Sequence, residues 1–119
     1  MKDEQELERE KREFRTRIGD RIRIARERAG LSQEEFGRLV SLQKMSVSAI
    51  ERGIASISLP TLRRICEKLS IPSDFILFGD EGMDDVQYLV RRLECLPPED
   101  FEQVERLLDY ALRLCEKQD

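Results

Sequence analysis

Side chains that commonly catalyse reactions or bind metals are sparse in this sequence. None of the 119 residues is histidine, and the three cysteines, Cys66, Cys95 and Cys115, lie far apart without a C-x-x-C pair. Histidine is the commonest general base, and zinc sites need several closely spaced cysteines or histidines. No serine or cysteine has an obvious base partner. We therefore expect no enzyme, no metal and no cofactor, and reduced cysteines that pack in helical cores.

Basic side chains concentrate in the middle of the chain. Residues 9–68 carry 15 basic and 8 acidic side chains, a net charge of +7, although the whole chain has a formal charge of −4. Residues 1–8 contribute −3 and residues 69–119 contribute −8. The local field governs docking more than the total charge does. The middle segment can present a positive face to nucleic-acid phosphates, although solvated helix faces would give the same count.

Amphipathic helices are the elements that must position these side chains. Aromatic residues make up 6% of the chain and charged residues 39%, so the core must come from Leu, Ile and Val. Ser32 and Glu35 form an S-x-x-E capping box that begins one short helix, and Gly30 and Gly53 are typical of helix ends. Pro60 fits the first turn of a helix over residues 59–69. We predict an all-α fold.

A short helix is predicted over residues 43–53, and its outer face has few of the large apolar side chains that are typical of a face packed on a core. Val47 and Ile50 point inward, three residues apart. The outer positions carry small or polar side chains: Lys44, Met45, Ser48 and Ala49. Such a face suits close insertion into a groove.

The C-terminal part of the chain predicts two more helices after an acidic, glycine-containing hinge at residues 80–85. The last helix repeats apolar residues at a 3-4-3-4 spacing, which is typical of a seam against another helix. We predict a homodimer interface through Phe101, Val104, Leu108, Ala111, Leu112 and Cys115. The alternative is a monomer whose terminal helices complete one core.

The longest apolar runs fall far short of the roughly 20 residues that cross a bilayer. The first ten residues, MKDEQELERE, contain no apolar signal region. We expect a cytoplasmic protein without a membrane segment.

Taken together, the middle of the sequence resembles the phage-repressor and Xre-type helix-turn-helix regulators. The resemblance covers about residues 17–79 and rests on four segments in order. These are Ile18-Gly19-Asp20-Arg21-Ile22 with Arg26, Leu31-Ser32-Gln33-Glu34-Glu35-Phe36, Val47-Ser48-Ala49-Ile50-Glu51-Arg52-Gly53, and Pro60-Thr61-Leu62. It implies a five-helix lambda-repressor-like domain at 17–79, with an N-terminal helical extension at 1–16 and two C-terminal helices within 80–119.

The resemblance also implies site residues. Base-reading side chains would be Gln43, Lys44, Met45, Ser48 and Ala49, with the helix that carries them in the major groove of double-stranded DNA. Phosphate contacts would be Gln33, Arg52 and Ser56. Arg26 and Glu51 match the family's paired arginine and glutamate, so we expect a structural salt bridge between them.

Two departures from the family pattern matter. Many relatives carry glycine at the turn where this chain has Ser41, which predicts either a strained backbone or another turn geometry. The loop after Gly53 contains no charged residue up to Ser58, so its phosphate affinity should be weak; Arg15, Arg17, Arg21 and Arg23 are candidates to compensate.

Two functions follow as expectations. The first is a regulator, expected to be a repressor, that binds an inverted-repeat operator as a homodimer. The second is a protein-interaction module, such as an antitoxin whose acidic tail binds a basic partner.

Overall fold

The computed structural model describes residues 3–80 and 82–116, and every regular element within those ranges is an α-helix. The helices, in order, are α1 Glu4–Arg28, α2 Gln33–Val40, α3 Lys44–Glu51, α4 Leu59–Leu69, α5 Ser73–Phe78, α6 Asp85–Glu94 and α7 Pro98–Glu116. The all-α prediction is confirmed. Residues 1, 2, 81 and 117–119, which belong to the predicted end segments, lie outside the described residues.

The chain divides into two compact units between Gly82 and Met83. The first contains α1–α5 and the second α6 and α7. The N-terminal extension is continuous with the first helix of the domain, because α1 runs unbroken from Glu4 to Arg28. Its first turns, up to Phe14, are exposed. The buried part of α1 begins at Ile18.

Branched and aromatic side chains from different helices build the core of the first unit. They recur at helical spacing, so that each short helix contributes one buried stripe. The largest fully buried side chains are Phe36, Ile22, Ile65, Ile76, Val40 and Val47. This core fixes α2 and α3, which are too short to be stable by themselves.

The ends of α2 are set by local chemistry. Ser32 Oγ accepts from the Glu35 N–H at 3.1 Å, and the Glu35 carboxylate accepts from the Ser32 N–H at 3.0 Å. This hydrogen bond to the Ser32 backbone holds the pKa of Glu35 below its ordinary value. The helix ends at Ser41, whose φ of 64° is left-handed. The predicted strain at this non-glycine turn residue is therefore present.

Close approach across the same turn requires Gly37. A Cβ there would lie 2.5 Å from the carbonyl oxygen of Leu42. The Leu42 N–H also donates to the Gly37 carbonyl at 2.8 Å, which closes the turn between α2 and α3. Any side chain at Gly37 would push the two helices apart.

Side-chain hydrogen bonds, one local and one long-range set, fix the remaining helices of the first unit. Ser58 caps α4 by accepting from the Thr61 N–H at 3.2 Å. Arg21 Nη1 donates to the carbonyls of Ile76 and Leu77, at 3.1 and 3.0 Å, and thereby occupies acceptors at the end of α5.

The described parts of the chain contain no helix with the length and apolarity of a membrane span. Within the same ranges, no cluster of three or more cysteine and carboxylate side chains is arranged to hold a metal ion. No disulfide joins Cys66, Cys95 or Cys115 within the described residues. Cys95 and Cys115 are exposed, so the prediction that they pack in the core is wrong.

Candidate nucleic-acid interface

The exposed face of α3 carries the predicted base-reading residues. Val47 and Ile50 are buried beneath the helix, whereas Lys44 is exposed and Met45 is 81% exposed. With 3.6 residues per turn, positions 44, 45, 48 and 49 share the side opposite the buried pair. Ser48 and Ala49 are half-buried on that side. The sequence places small residues in the middle of this face and longer ones at its start.

The beginning of α3 offers polar groups that the fold does not use. Gln43 is the N-cap residue and is exposed, and its side chain makes no capping hydrogen bond. Lys44 follows it as the first helical residue. An amide and an ammonium in the first turn of a helix can donate to base edges in a major groove, which admits one α-helix.

A shallow groove lies between α3 and the loop that follows it. Met45, Ser46 and Ala49 form one wall, and Ala55, Ser56 and Ile57 belong to the loop on the other side. Ser46 is exposed and was not among the predicted site residues. Its position three residues before Ala49, on the same side of the helix, is the sequence signal that could have identified it.

The three predicted phosphate contacts lie at helix ends and in this loop. Gln33 is the first residue of α2, Arg52 is the C-cap of α3, and Ser56 is exposed in the loop. Arg52 is exposed, and its Nε donates to the carbonyl of Ser48 at 3.2 Å. The first N–H groups of α2 have no acceptor within the helix, so this end of α2 favours an anion.

A buried carboxylate positions the Gln33 side chain. Gln33 Nε2 donates to Glu51 Oε1 at 3.1 Å. A primary amide has two N–H bonds, so one donor remains for a phosphate oxygen. The Gln33 amide is therefore held by the end of α3 rather than moving freely in solvent.

The same carboxylate binds Arg26 of α1. Arg26 Nε and Nη2 donate to the two oxygens of Glu51 at 2.7 and 3.0 Å, and Nη1 donates to the carbonyl of Leu31 at 2.8 Å. The side chains are 11% and 3% exposed for Arg26 and Glu51, respectively. Hydrogen bonding to Glu51 raises the pKa of Arg26. Three helices thus meet at one bidentate ion pair. It joins Arg26 and Glu51, the two residues for which a structural salt bridge is expected from the sequence.

A glycine lets α1 approach the end of α3. A Cβ at Gly19 would overlap the carbonyl oxygen of Ile50 and lie 2.9 Å from that of Glu51. Gly19 is buried and stands in a helix interior, where glycine is otherwise unfavourable. The close approach of α3 explains why glycine occupies this position, and the sequence alone did not reveal this contact.

Of the four arginines proposed to compensate for the uncharged loop, three have side-chain hydrogen bonds within the protein. Arg15 Nε donates to the carbonyl of Gly53 at 3.4 Å, and Arg21 binds the end of α5. Arg23 pairs with Asp20 and Glu27 on its own helix, and these carboxylates raise its pKa. Arg17 is exposed and makes no side-chain hydrogen bond with the described residues.

The C-terminal unit, taken by itself, exposes the predicted dimer residues. Neither α6 nor α7, both of which the structure describes in full, contains a buried residue. Val104 is half-buried, and the other five predicted interface residues are exposed: Phe101, Leu108, Ala111, Leu112 and Cys115. The apolar arc of α7 is wider than this set, because Leu107, Tyr110 and Leu114 are also exposed.

Comparison with known proteins gives a family match within the first unit. Residues 22–76 match the family model described as helix-turn-helix. Over 70 residues the chain is 31% identical to the antitoxin PezA of Streptococcus pneumoniae, a match that covers 59% of this chain. The matched region covers 44% of that antitoxin, so it spans less than half of the relative's length.

Proposed function

From the match of residues 22–76 to the helix-turn-helix family model, we infer that the protein is a sequence-specific transcriptional regulator. We propose that it acts in the cytoplasm as a homodimeric repressor on an inverted-repeat operator. The exposed face of α3, with Lys44 and Met45 at its start and Ser48 and Ala49 behind them, is the observation that supports this function.

Each exposed residue of α3 has a chemical counterpart in the major groove. Lys44 can donate to guanine O6 or N7, and Gln43 can pair with adenine or bind a phosphate. Met45 and Ala49 can contact a thymine methyl group. Gln33, Arg52 and Ser56 would fix the register on the backbone, which carries no sequence information directly. Because phosphate contacts do not distinguish sequences, α3 must supply the discrimination.

The apolar arc of α7 supports the homodimer. Its apolar residues lie on the side of the predicted dimer interface and also on the neighbouring side of the helix, at Leu107, Tyr110 and Leu114. One neighbouring helix covers only one stripe of an α-helix. Because α6 and α7 contain no buried residue, these two helices alone do not remove the apolar surface of α7 from water. A second copy related by a two-fold axis would cover the exposed stripe and present two α3 helices to an inverted repeat.

The test of this function is selection of bound duplexes from a random pool, followed by salt titration of the best sequence. We expect an enriched inverted repeat whose affinity falls steeply with salt, since phosphate neutralisation releases counterions. Absence of enrichment together with absence of salt-dependent retention on any duplex would overturn the proposal.

We predict different defects for Lys44→Ala and Gln33→Ala on the selected operator. Lys44→Ala should remove about 1–3 kcal/mol of discrimination at one base pair, because it deletes a base contact. Gln33→Ala should weaken all duplexes alike, since phosphate contacts carry no sequence information. Arg63→Ala is the matched surface control, because the Arg63 side chain lies on the exposed side of α4 and pairs with Glu67. Binding curves on the operator and on single-base variants distinguish these outcomes. Equal losses of DNA affinity from all three substitutions would contradict the assignment of Lys44 to a base and of Gln33 to a phosphate.

Leu112→Asp should dissociate the dimer without unfolding the chain. Leu112 is 60% exposed, so aspartate is tolerated in the free chain but leaves a desolvated charge in an interface. We expect a solution mass near the 14.0 kDa of one chain, compared with twice that for the unmodified protein. Arg113→Asp, on the polar side of α7, should keep the larger mass. Light scattering after gel filtration measures this, and an unchanged mass for Leu112→Asp would place the interface elsewhere.

Similarity to an antitoxin supports a second candidate, an interaction with a protein partner. Residues 69–119 contain 13 acidic and 5 basic side chains, which favours a basic partner. Co-expression with the product of the neighbouring gene tests this. A salt-sensitive complex that Lys44→Ala leaves intact would support a partner site away from α3.

A further inference from the structure

A cavity of about 170 Å³ lies in the first unit, beside the loop that links α3 to α4. Its walls come from α1, from this loop, from α4 and from the end of α5. The apolar lining is Phe14, Ile18, Ile57, Leu59, Leu62 and Leu77. An apolar cavity of about 150 Å³ can hold a molecule of the size of benzene. This one opens to solvent on one side, where Leu59 is 81% and Phe14 is 52% exposed. The volume and lining therefore fit one six-membered ring or a short branched chain.

Two polar groups at this cavity have unused hydrogen-bonding capacity. Arg15 lines it and uses Nε for the carbonyl of Gly53, whereas its two terminal nitrogens have no partner among the described residues. Ser56 also lines it, and its hydroxyl makes no hydrogen bond within the described ranges. The other serine in the lining, Ser58, is already bonded as the cap of α4. A half-buried guanidinium and a hydroxyl that line the same cavity are donors suited to a carboxylate.

We propose that this cavity binds a small carboxylate with an aromatic or branched apolar tail. The tail occupies the chamber between α1 and α4, and the carboxylate accepts from Arg15 and Ser56. A side chain from a second copy would satisfy the apolar walls but leave the arginine unpaired. Charge complementarity therefore selects an amphipathic anion over an apolar side chain.

The position of the cavity gives this ligand a regulatory consequence, which rests on the proposed function. The loop that forms one wall contains Ser56, one of the three proposed phosphate contacts. A bound carboxylate takes the Ser56 hydroxyl and neutralises Arg15, so it competes with phosphate for both groups. The ligand should lower DNA affinity by about five- to tenfold, and DNA must lower ligand affinity by the same factor.

Ligand binding is tested first without DNA, so that its outcome is independent of the proposed function. The probe is para-fluorobenzoate, followed by fluorine NMR line broadening and calorimetry on the full chain. We expect saturation with a Kd near 1 mM or tighter, which about ten non-hydrogen atoms allow. Fluorobenzene should bind more weakly because it lacks the carboxylate, and acetate should not bind because it lacks the ring.

Three variants locate the probe. Arg15→Gln should weaken binding of para-fluorobenzoate about tenfold while leaving that of fluorobenzene unchanged. Ala55 also lines the cavity, so Ala55→Leu should exclude both probes by filling it. Arg17→Gln removes the same charge from the same helix away from the lining and should bind normally. Thermal unfolding verifies that each variant is folded; if Ala55→Leu does not fold, the Arg15→Gln comparison decides alone. Non-saturable binding, or equal binding by Arg15→Gln and Arg17→Gln, would overturn the site.

The second measurement adds benzoate to the protein bound to its selected operator. Weaker DNA binding that Arg15→Gln abolishes supports the coupling. If the probe binds without any effect on DNA affinity, the coupling is overturned and the ligand site remains supported. If no operator is selected while the probe still binds, the proposed function fails and the ligand site stands.

Discussion

Glu51→Ala should lower the free energy of unfolding by about 3–5 kcal/mol, the usual result of removing one partner of a buried ion pair. The reason is the guanidinium left behind. Arg26 is only 11% exposed and would lose both bonds to the carboxylate, at 2.7 and 3.0 Å. An arginine cannot escape this by losing its proton. Gln33 would also lose its acceptor.

Urea unfolding followed by circular dichroism measures this effect. Glu27→Ala is the matched control, because its carboxylate approaches Arg26 only to 3.9 Å and is 53% exposed. We expect a change within about 0.5 kcal/mol for the control. The double variant Arg26→Met with Glu51→Leu should regain much of the loss, since it leaves no unpaired charge. If Glu51→Ala lowers the free energy of unfolding no more than Glu27→Ala does, the Arg26–Glu51 pair does not hold the three helices together.

For Gly19→Ala, helix propensity and packing predict opposite changes in stability. Alanine in a helix interior is ordinarily more stable than glycine by about 0.5–1 kcal/mol. Here the added Cβ would overlap the carbonyl oxygen of Ile50. Since backbone cannot move aside as a flexible side chain does, we expect a net loss of about 3 kcal/mol from overpacking.

Asp20→Ala, at the next and exposed position of α1, is the control for helix propensity. It removes a surface pair with Arg23 and should change stability by no more than about 1 kcal/mol. If Gly19→Ala folds, α3 must shift against α1, so operator affinity should fall more than for the control. Stabilisation by Gly19→Ala would mean that α1 does not approach α3 as closely as described.

Much of the first unit could be predicted because its signals are local. The capping box at Ser32, the helix end at Gly53 and the proline in the first turn of α4 each specify nearby backbone. The inward direction of Val47 and Ile50 follows from their spacing alone. These features depend on residues within one turn of each other.

Features that depend on distant residues escaped prediction. The bond from Gln33 to Glu51 joins residues 18 apart in the sequence, and nothing near Gln33 signals its partner. Gly19 reads as an unfavourable helix residue until α3 is seen against it. The exposure of Cys115 has a different cause: an apolar stripe predicts burial, but it does not state which molecule covers it.

Ser41 and Ser70, which end α2 and α4, leave this fold room to evolve. Both adopt left-handed backbone, with φ of 64° and 52°, at positions where glycine is free of the Cβ penalty of about 1–2 kcal/mol. Proteins tolerate new substitutions only while they remain above a stability threshold. A change to glycine at either serine would offset a typical destabilising substitution, such as one among the buried residues that hold α3 in place. The lineage could therefore change how the exposed face of α3 is presented without first rebuilding the rest of its core.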